Sequence, residues 1–413
     1  MRKVAVLASV AVTVALAGQP PPASARDPYA EIQALLDRRA EAMLNGDRDA
    51  FLATVDGADE AFVDRQRRLF DGFQHLGLTF YRLELTTRYW PELTTDREET
   101  VYGEPAQPTV LHVEERYRIP EYDREPALED LYLTFVRRGE EWKVASDTDL
   151  DDLTLYSGRK LWELGPIVTR ESEHFRYISH PDLEDAADEI LASAERAIQT
   201  VGQNWPLPWS RRVLILAPST SEETGRIVQA TFDLESFVAF AYSGVDRAED
   251  WDLNGHRIIL NWPNFSLHSD ETQQRILVHE LLHIATRELS GPNVTAFVDE
   301  GIAEWVAQDD NVFEVAEAID AGGWDRALPQ DFEFITGDGE DISEAYQESY
   351  TAAQFAADRF GTEAVADWYR LVGQVRLSAG TPRYHVNRGM RAAFGLSYDA
   401  FEERWADYVE ARI

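Results

Sequence analysis

The stretch Ile276-Leu277-Val278-His279-Glu280-Leu281-Leu282-His283-Ile284-Ala285 decides how the second half of this chain folds. It is apolar apart from two histidines and one glutamate, which predicts a buried helix. His279 and His283 are four residues apart and share one helix face, so both imidazoles can reach one metal ion, with Glu280 beside them. Buried imidazole and carboxyl groups need polar partners, and a metal ion with its water supplies them.

A third ligand is predicted in the segment that follows. A catalytic zinc site commonly has three protein ligands and keeps one position for water. Glu300 follows His283 after sixteen intervening residues, which leaves room for a turn and a second helix packed on the first. Glu304 lies one helical turn later and is placed to hold the outer nitrogen of a ligating histidine. The alternative interpretation is a chance occurrence of the five-residue pattern on a core helix.

These motifs resemble the gluzincin clan of zinc metallopeptidases, which includes thermolysin and the aminopeptidase N family. The segment Val298–Trp305 is similar to the Asn-Glu-Gly-x-Ala phrase of the aminopeptidase branch, with Asp299 where asparagine is usual. The resemblance implies one zinc ion per chain and hydrolysis of peptide bonds in a peptide or protein substrate.

The resemblance also implies a role for each residue of the two motifs. His279, His283 and Glu300 correspond to the zinc ligands. Glu280 corresponds to the general base, and Glu304 to the acid that supports a ligating histidine from behind.

A catalytic tyrosine is implied further along the chain. In the aminopeptidase branch a tyrosine that opens a helix stabilises the tetrahedral intermediate, and Tyr350 is at the corresponding place. The Lys-Gly pair that usually follows this tyrosine is missing, so Tyr346, one turn earlier, is the alternative. A packing role for Tyr350 is the third interpretation.

The second half, predicted as one domain over residues 165–413, has a small sheet, the helix with the two histidines and a mainly helical remainder, which is an α+β class. The strand at 257–262, just before that helix, is expected to be an open edge to which an extended peptide can add. The other predicted elements are strands at 212–217 and 237–242, and helices at 222–232 and 270–289.

The first half, residues 26–158, begins with two helical patterns and continues as strands. Alternation of apolar and polar residues predicts a strand at 111–119, and a hairpin is predicted at 131–145 around Gly139. Helices followed by a curved antiparallel sheet resemble the nuclear-transport-factor-2-like (SnoaL-like) fold, a cone-shaped α+β domain. No acid–base pair stands out here, so we expect an accessory domain with its own core.

Composition excludes several classes of partner. The chain has 75 acidic and 39 basic residues and a net charge of −36, which argues against nucleic acid and anionic lipid as partners. Residues 1–25 have a basic start, an apolar stretch and a small-residue cleavage site, so they predict a signal peptide and secretion without stable membrane insertion. There is no cysteine, so no disulfide is expected. The oligomeric state is left open.

Two functions remain in competition. The first is a secreted zinc peptidase that cuts internal bonds, because the Gly-x-Met-Glu-Asn strand that binds a free amino terminus in the aminopeptidase branch is absent. Glu249 or Asp250 is a possible substitute clamp for an aminopeptidase. The second is a catalytically inactive zinc-binding protein that acts as a ligand-binding or interaction module. Glu280 distinguishes them, because a structural zinc site has no use for a base beside its ligands.

Overall fold

The computed structural model of the protein describes residues 27–86, 102, 108–230, 234, 237–246, 252–308, 310–337, 339–374 and 380–413. The predicted signal peptide and the two clamp candidates Glu249 and Asp250 lie outside this part of the chain. The described residues form both helices and strands, which confirms the α+β class. Among the helices that the structure describes, none combines the length and the apolar character that a membrane crossing requires.

The described residues of the first half form three helices followed by a four-stranded antiparallel sheet in the order β1-β2-β3-β4. Asp27 and Asp59 each cap a helix by accepting backbone N–H groups, and Gly46 and Gly77, with positive φ, end the same two helices. The predicted strand and hairpin are confirmed as β2, β3 and β4. The elements are α1 (Pro28–Asn45), α2 (Arg48–Leu52), α3 (Glu60–Leu76), β1 (Phe80–Leu85), β2 (Thr109–Arg118), β3 (Ala127–Arg138) and β4 (Glu141–Ser146).

The second half opens with a five-stranded mixed sheet in the order β5-β6-β7-β9-β8. Its elements are α4 (Leu161–Leu164), β5 (Val168–Glu171), β6 (Phe175–Ser179), α5 (Ala187–Asn204), β7 (Val213–Ala217), α6 (Ser221–Val228), β8 (Ala239–Asp246) and β9 (Asp252–Leu260). The expectation of an open edge at residues 257–262 is wrong, because β9 lies between β7 and β8. The continuous apolar run Ile258-Ile259-Leu260 is typical of such a strand, buried on both faces. In the described part of the sheet, the edge on this side is β8.

The remainder of the chain is helical. Its elements are α7 (Trp262–Phe265), α8 (Asp270–Thr286), α9 (Ala296–Ala307), α10 (Phe313–Ala321), α11 (Gly339–Phe360), α12 (Thr362–Gly373), α13 (Pro382–Ala393) and α14 (Tyr398–Glu410). Aromatic side chains hold this part together: Trp368 and Trp405 are fully buried, and both belong to the same core as the sheet face that α8 covers.

The two halves share a core, so the expectation of separate cores is wrong. One face of the five-stranded sheet packs on the helices of the second half. The opposite face packs on the first half through four buried side chains, namely Ile178, Leu214, Leu216 and Ile259. A buried ion pair crosses the same junction, where Arg257 donates to both carboxylate oxygens of Asp123 at 2.5 and 2.9 Å. The sequence shows that these strands are apolar on both faces but not what covers each face.

Candidate metal centre

Helix α8 carries the motif residues into the interior. Ser269 caps its first turn, where its hydroxyl oxygen accepts a hydrogen bond from the backbone N–H of Thr272 at 3.3 Å. Acidic residues in that turn interact favourably with the positive end of the helix dipole and stabilise the helix. Further along, the helix is buried on several sides, with Leu277, Leu281 and Leu282 almost inaccessible to solvent. The polar side chains of the motif are therefore fixed by a packed helix and not by a loop.

Helix α9 brings the third predicted ligand against α8. Gly301 allows this helix to approach α11 closely, because a Cβ at that position would lie 2.4 Å from the carbonyl oxygen of Ser349. Its neighbours Val298 and Ile302 are fully buried in the core that α8 also lines. Glu300 therefore lies on the side of α9 that faces the two histidines.

Three ligand atoms converge on one point. Nε2 of His279 lies 3.0 Å from Nε2 of His283, and the carboxylate oxygen Oε2 of Glu300 lies 3.2 Å from the first and 3.5 Å from the second. Two ligand atoms of a tetrahedral zinc site with bonds of 2.0–2.1 Å are separated by about 3.3 Å. The donor set and the triangle both fit a zinc ion. Among the described residues, this is the one group of three or more such side chains close enough to hold a metal.

Each histidine also has a carboxylate behind it. Nδ1 of His279 lies 3.2 Å from Glu304, as the sequence predicts, and Nδ1 of His283 lies 3.6 Å from Asp299. A carboxylate at Nδ1 accepts a hydrogen bond from that nitrogen, which leaves the lone pair of Nε2 directed into the triangle of ligand atoms. The hydroxyl of Tyr369, which is fully buried, donates to Asp299 at 2.7 Å.

The charges of this cluster suit a divalent cation. Burial lowers the pKa of His283, but Glu300 and Asp299 outweigh it and raise that pKa to about 9. Burial likewise raises the pKa of Glu300, and the two histidines reverse the effect and hold it well below its usual range. Imidazolium groups neutralise the surrounding carboxylates, and a zinc ion bound there would take over that role once the histidines had lost their protons.

Glu280 lies on the same helix but does not belong to the ligand triangle. It is buried, and burial raises the pKa of its carboxyl group, against the influence of His279 and His283. A carboxylate with a raised pKa beside a metal-bound water is suited to take a proton and to return it.

The two candidate tyrosines differ in their surroundings. The hydroxyl of Tyr350 accepts a hydrogen bond from the side-chain amide of Gln354 at 3.0 Å, and Tyr408 on α14 is one of its electrostatic neighbours. Burial raises the pKa of Tyr346, and the carboxylates of the metal centre raise it further, Glu300 most of all. The structure therefore brings Tyr346 into the electrostatic surroundings of the centre.

Sequence reasoning missed two residues that the structure brings to the centre. Asp299 stands where the aminopeptidase phrase usually has asparagine, and this difference marks the position. The sequence does not show, however, that the side chain of Asp299 faces His283. Tyr369 comes from α12, seventy residues later in the chain, and no motif marks it. Comparison with known proteins adds no identity: no protein-family model matches the chain, and no curated protein matches it in sequence.

Proposed function

We propose that this protein is a zinc-dependent peptidase that acts outside the cytoplasm. The observation that supports the proposal most directly is the convergence of His279 Nε2, His283 Nε2 and Glu300 Oε2, with the carboxyl group of Glu280 on the same helix. A zinc ion bound there supplies a water of lowered pKa and polarises the scissile carbonyl.

Side chains of the protein transfer the protons and stabilise the developing charge. Glu280 takes the proton from the attacking water and passes it to the leaving amine. Tyr346 donates a hydrogen bond to the oxyanion that develops on the carbonyl, a contact worth roughly 3–4 kcal/mol in comparable sites. Glu304 and Asp299 keep the ring nitrogens that face the metal free of protons.

The edge strand β8 is the proposed binding surface for the substrate. It packs beside α8, so a peptide that adds to it as a further strand runs past the metal centre. Backbone pairing holds any sequence, and specificity then depends on the side chains that line the cleft.

We further propose that cleavage does not proceed from the amino terminus one residue at a time. An aminopeptidase fixes the substrate's ammonium group with a carboxylate near the metal, and the strand that supplies it in the aminopeptidase branch has no counterpart in the sequence of β8 or β9. A peptide and its N-acetylated copy should therefore be cleaved equally well at the same internal bond. Stepwise loss of amino-terminal residues, abolished by acetylation, would show an aminopeptidase instead.

A digest of a peptide library by purified protein, analysed by mass spectrometry, tests the main proposal. Hydrolysis should stop when a chelator removes the metal and return when zinc is added. Glu280→Gln should keep one zinc per chain and lose hydrolysis, whereas His279→Ala should lose the zinc itself. A Glu280→Gln variant with unchanged turnover would exclude Glu280 as the base. Zinc-loaded wild-type protein that cleaves nothing would favour the inactive zinc-binding module.

A further inference from the structure

Arg287 lies at the carboxyl end of α8 on the face that carries the motif. It is four residues after His283 and seven after Glu280, and helical residues with these spacings share a face. Side chains on a helix lean toward its amino terminus, so the guanidinium is directed back toward the metal centre. Burial and the two histidines are the larger influences on the pKa of Glu280, and Arg287 also acts on it by favouring the ionised form.

The guanidinium of Arg287 also reaches the outer edge of β8. Its Nη2 donates to the carbonyl oxygen of Ala241 at 2.8 Å. The N–H of Asn261 donates to the carbonyl of Val238 at 2.9 Å, which fixes the alternation of hydrogen-bonded pairs between β8 and β9. Ala241, three residues after Val238, therefore directs its carbonyl away from β9. Arg287 thus stands on the open edge where a substrate strand would pair.

Arg287 keeps hydrogen-bonding capacity at this point. Its Nε is buried and has no hydrogen-bond partner among the described residues, and no described carboxylate lies within ion-pair distance of its guanidinium. A guanidinium presents its donors as a planar fork that matches the two oxygens of a carboxylate. The whole chain carries a net charge of −36 and repels anions, so a cation in the cleft is suited to hold an anionic part of a substrate.

We infer that Arg287 binds a carboxylate of the peptide substrate, an inference that rests on the proposed peptidase function. A peptide strand paired with β8 meets the guanidinium of Arg287 at Ala241. The carbonyl oxygen of Ala241 already accepts a hydrogen bond from Arg287, so it is not open to a peptide N–H. Pairing ends there, and a peptide whose chain also ends there offers its terminal carboxylate to Arg287. An Asp or Glu side chain at the same place offers the same chemistry. The enzyme therefore prefers substrates with a carboxylate a few residues from the scissile bond.

Three peptides of one parent sequence without acidic residues test this preference. One has a free carboxyl terminus, one is amidated, and one is amidated but carries an aspartate near the cleaved bond. Wild-type enzyme should cleave the free acid or the aspartate peptide with a KM at least about 10-fold lower than the amide, as loss of a charge-assisted hydrogen bond predicts. Which of the two peptides gains identifies the source of the carboxylate.

Variants at Arg287 connect the preference to this side chain. Arg287→Gln should remove the preference while the zinc content stays at one per chain, and Arg287→Lys should keep part of it. Arg370→Gln, which removes a cation paired with Asp367 on α12, is the matched control and should keep the full preference. Equal KM values for all three peptides in the wild type, or an unchanged preference in Arg287→Gln, would overturn the inference.

Binding measured by calorimetry separates this inference from the proposed function. Glu280→Gln protein loaded with zinc should bind the free-acid or aspartate peptide at least about 10-fold more tightly than the amide, and Arg287→Gln in that background should abolish the difference. Such a binding preference, in a protein that hydrolyses no peptide, refutes the peptidase but keeps the role of Arg287. Hydrolysis without any carboxylate preference refutes the role of Arg287 alone.

Discussion

The hydroxyl of Tyr369 donates a 2.7 Å hydrogen bond to Asp299, and the other carboxylate oxygen of Asp299 lies 3.6 Å from Nδ1 of His283. This chain of three side chains links helices α12, α9 and α8 through the metal centre. Burial raises the pKa of Asp299, but His283 outweighs it and keeps that carboxyl ionised. A carboxylate held in this way fixes the ring of His283 with Nε2 toward the metal.

Tyr369→Phe should therefore weaken zinc binding without removing a ligand. The loss of a partner behind a ligating histidine typically costs about 10- to 100-fold in metal affinity, and we expect a loss in this range. Competition with a chromophoric chelator measures it. Tyr398→Phe, a change of the same type on α14, is the control for loss of a buried hydroxyl and should leave zinc affinity unchanged. Equal zinc affinity in wild type and Tyr369→Phe would show that the hydroxyl of Tyr369 does not support His283 through Asp299.

The sequence predicts part of this centre well, because the interval within a helix determines which residues share a face. His279 and His283 follow from their spacing, and the distance along the chain to Glu300 allows a second helix to bring the third ligand. Asp299 is less accessible to such reasoning, because adjacent helical residues point about 100° apart and the rotation of α9 is decided by packing. Tyr369 depends on how α12 docks, which no local pattern records.

The fold shows the same division between local and long-range information. The apolar run Ile258-Ile259-Leu260 predicts a strand, but its place inside the sheet depends on pairing with β8, which precedes it. The continuous apolar run of β7 likewise predicts a strand covered on both faces, whereas what covers one of those faces depends on contacts with the first half.

Tyr346→Phe should lower kcat about 100-fold with little change in KM, because a hydrogen bond to the oxyanion forms mainly in the transition state. Tyr350→Phe is the matched variant on the same helix and should have a much smaller effect, since its hydroxyl is engaged with Gln354. Steady-state kinetics on one peptide compare the two variants. A large loss in Tyr350→Phe with none in Tyr346→Phe would return the catalytic role to Tyr350, as the family resemblance implies.

A fragment of residues 160–413 contains every proposed catalytic residue, and separate cores would make it an active enzyme. The shared core predicts the opposite outcome. Removal of the first half exposes the apolar face formed by Ile178, Leu214 and Ile259 and leaves Arg257 without Asp123. A buried charge that loses its partner costs roughly 3–5 kcal/mol, so we expect an insoluble or partly folded product.

Size-exclusion chromatography and circular dichroism of the fragment test this expectation, with residues 27–413 as the soluble control. A monomeric fragment that unfolds cooperatively would show that the first half is dispensable for folding. If that fragment also binds zinc and cleaves peptides, the first half is accessory in the sense that the sequence suggests.

The last prediction concerns stability and pH at Glu348 on α11. Burial raises the pKa of its carboxyl, and together with the smaller influence of the acids Glu344 and Asp325 it brings that pKa to about 8, against the hydrogen bond from Trp324. In an unfolded chain a glutamate has a pKa of about 4.3, so the folded protein binds the additional proton between these values. The contribution of protonated Glu348 to the free energy of unfolding is therefore complete below a pH of about 4.3 and is lost as the pH rises through about 8.

Glu348→Gln removes this pH dependence of stability, because the amide stays neutral at every pH. Its oxygen can still accept the hydrogen bond that the indole N–H of Trp324 donates to Glu348 at 2.5 Å. The variant should be more stable than the wild type at pH 9, by roughly 1–4 kcal/mol, and the difference should shrink toward pH 5. Urea unfolding at both pH values measures it. Glu403→Gln, an exposed change on α14, controls for the loss of one negative charge from a strongly acidic protein. If Glu348→Gln gains no more stability at pH 9 than Glu403→Gln, Glu348 is ionised in the folded protein with an ordinary pKa. A positive charge would then have to lie near Glu348 to offset the acids Glu344 and Asp325.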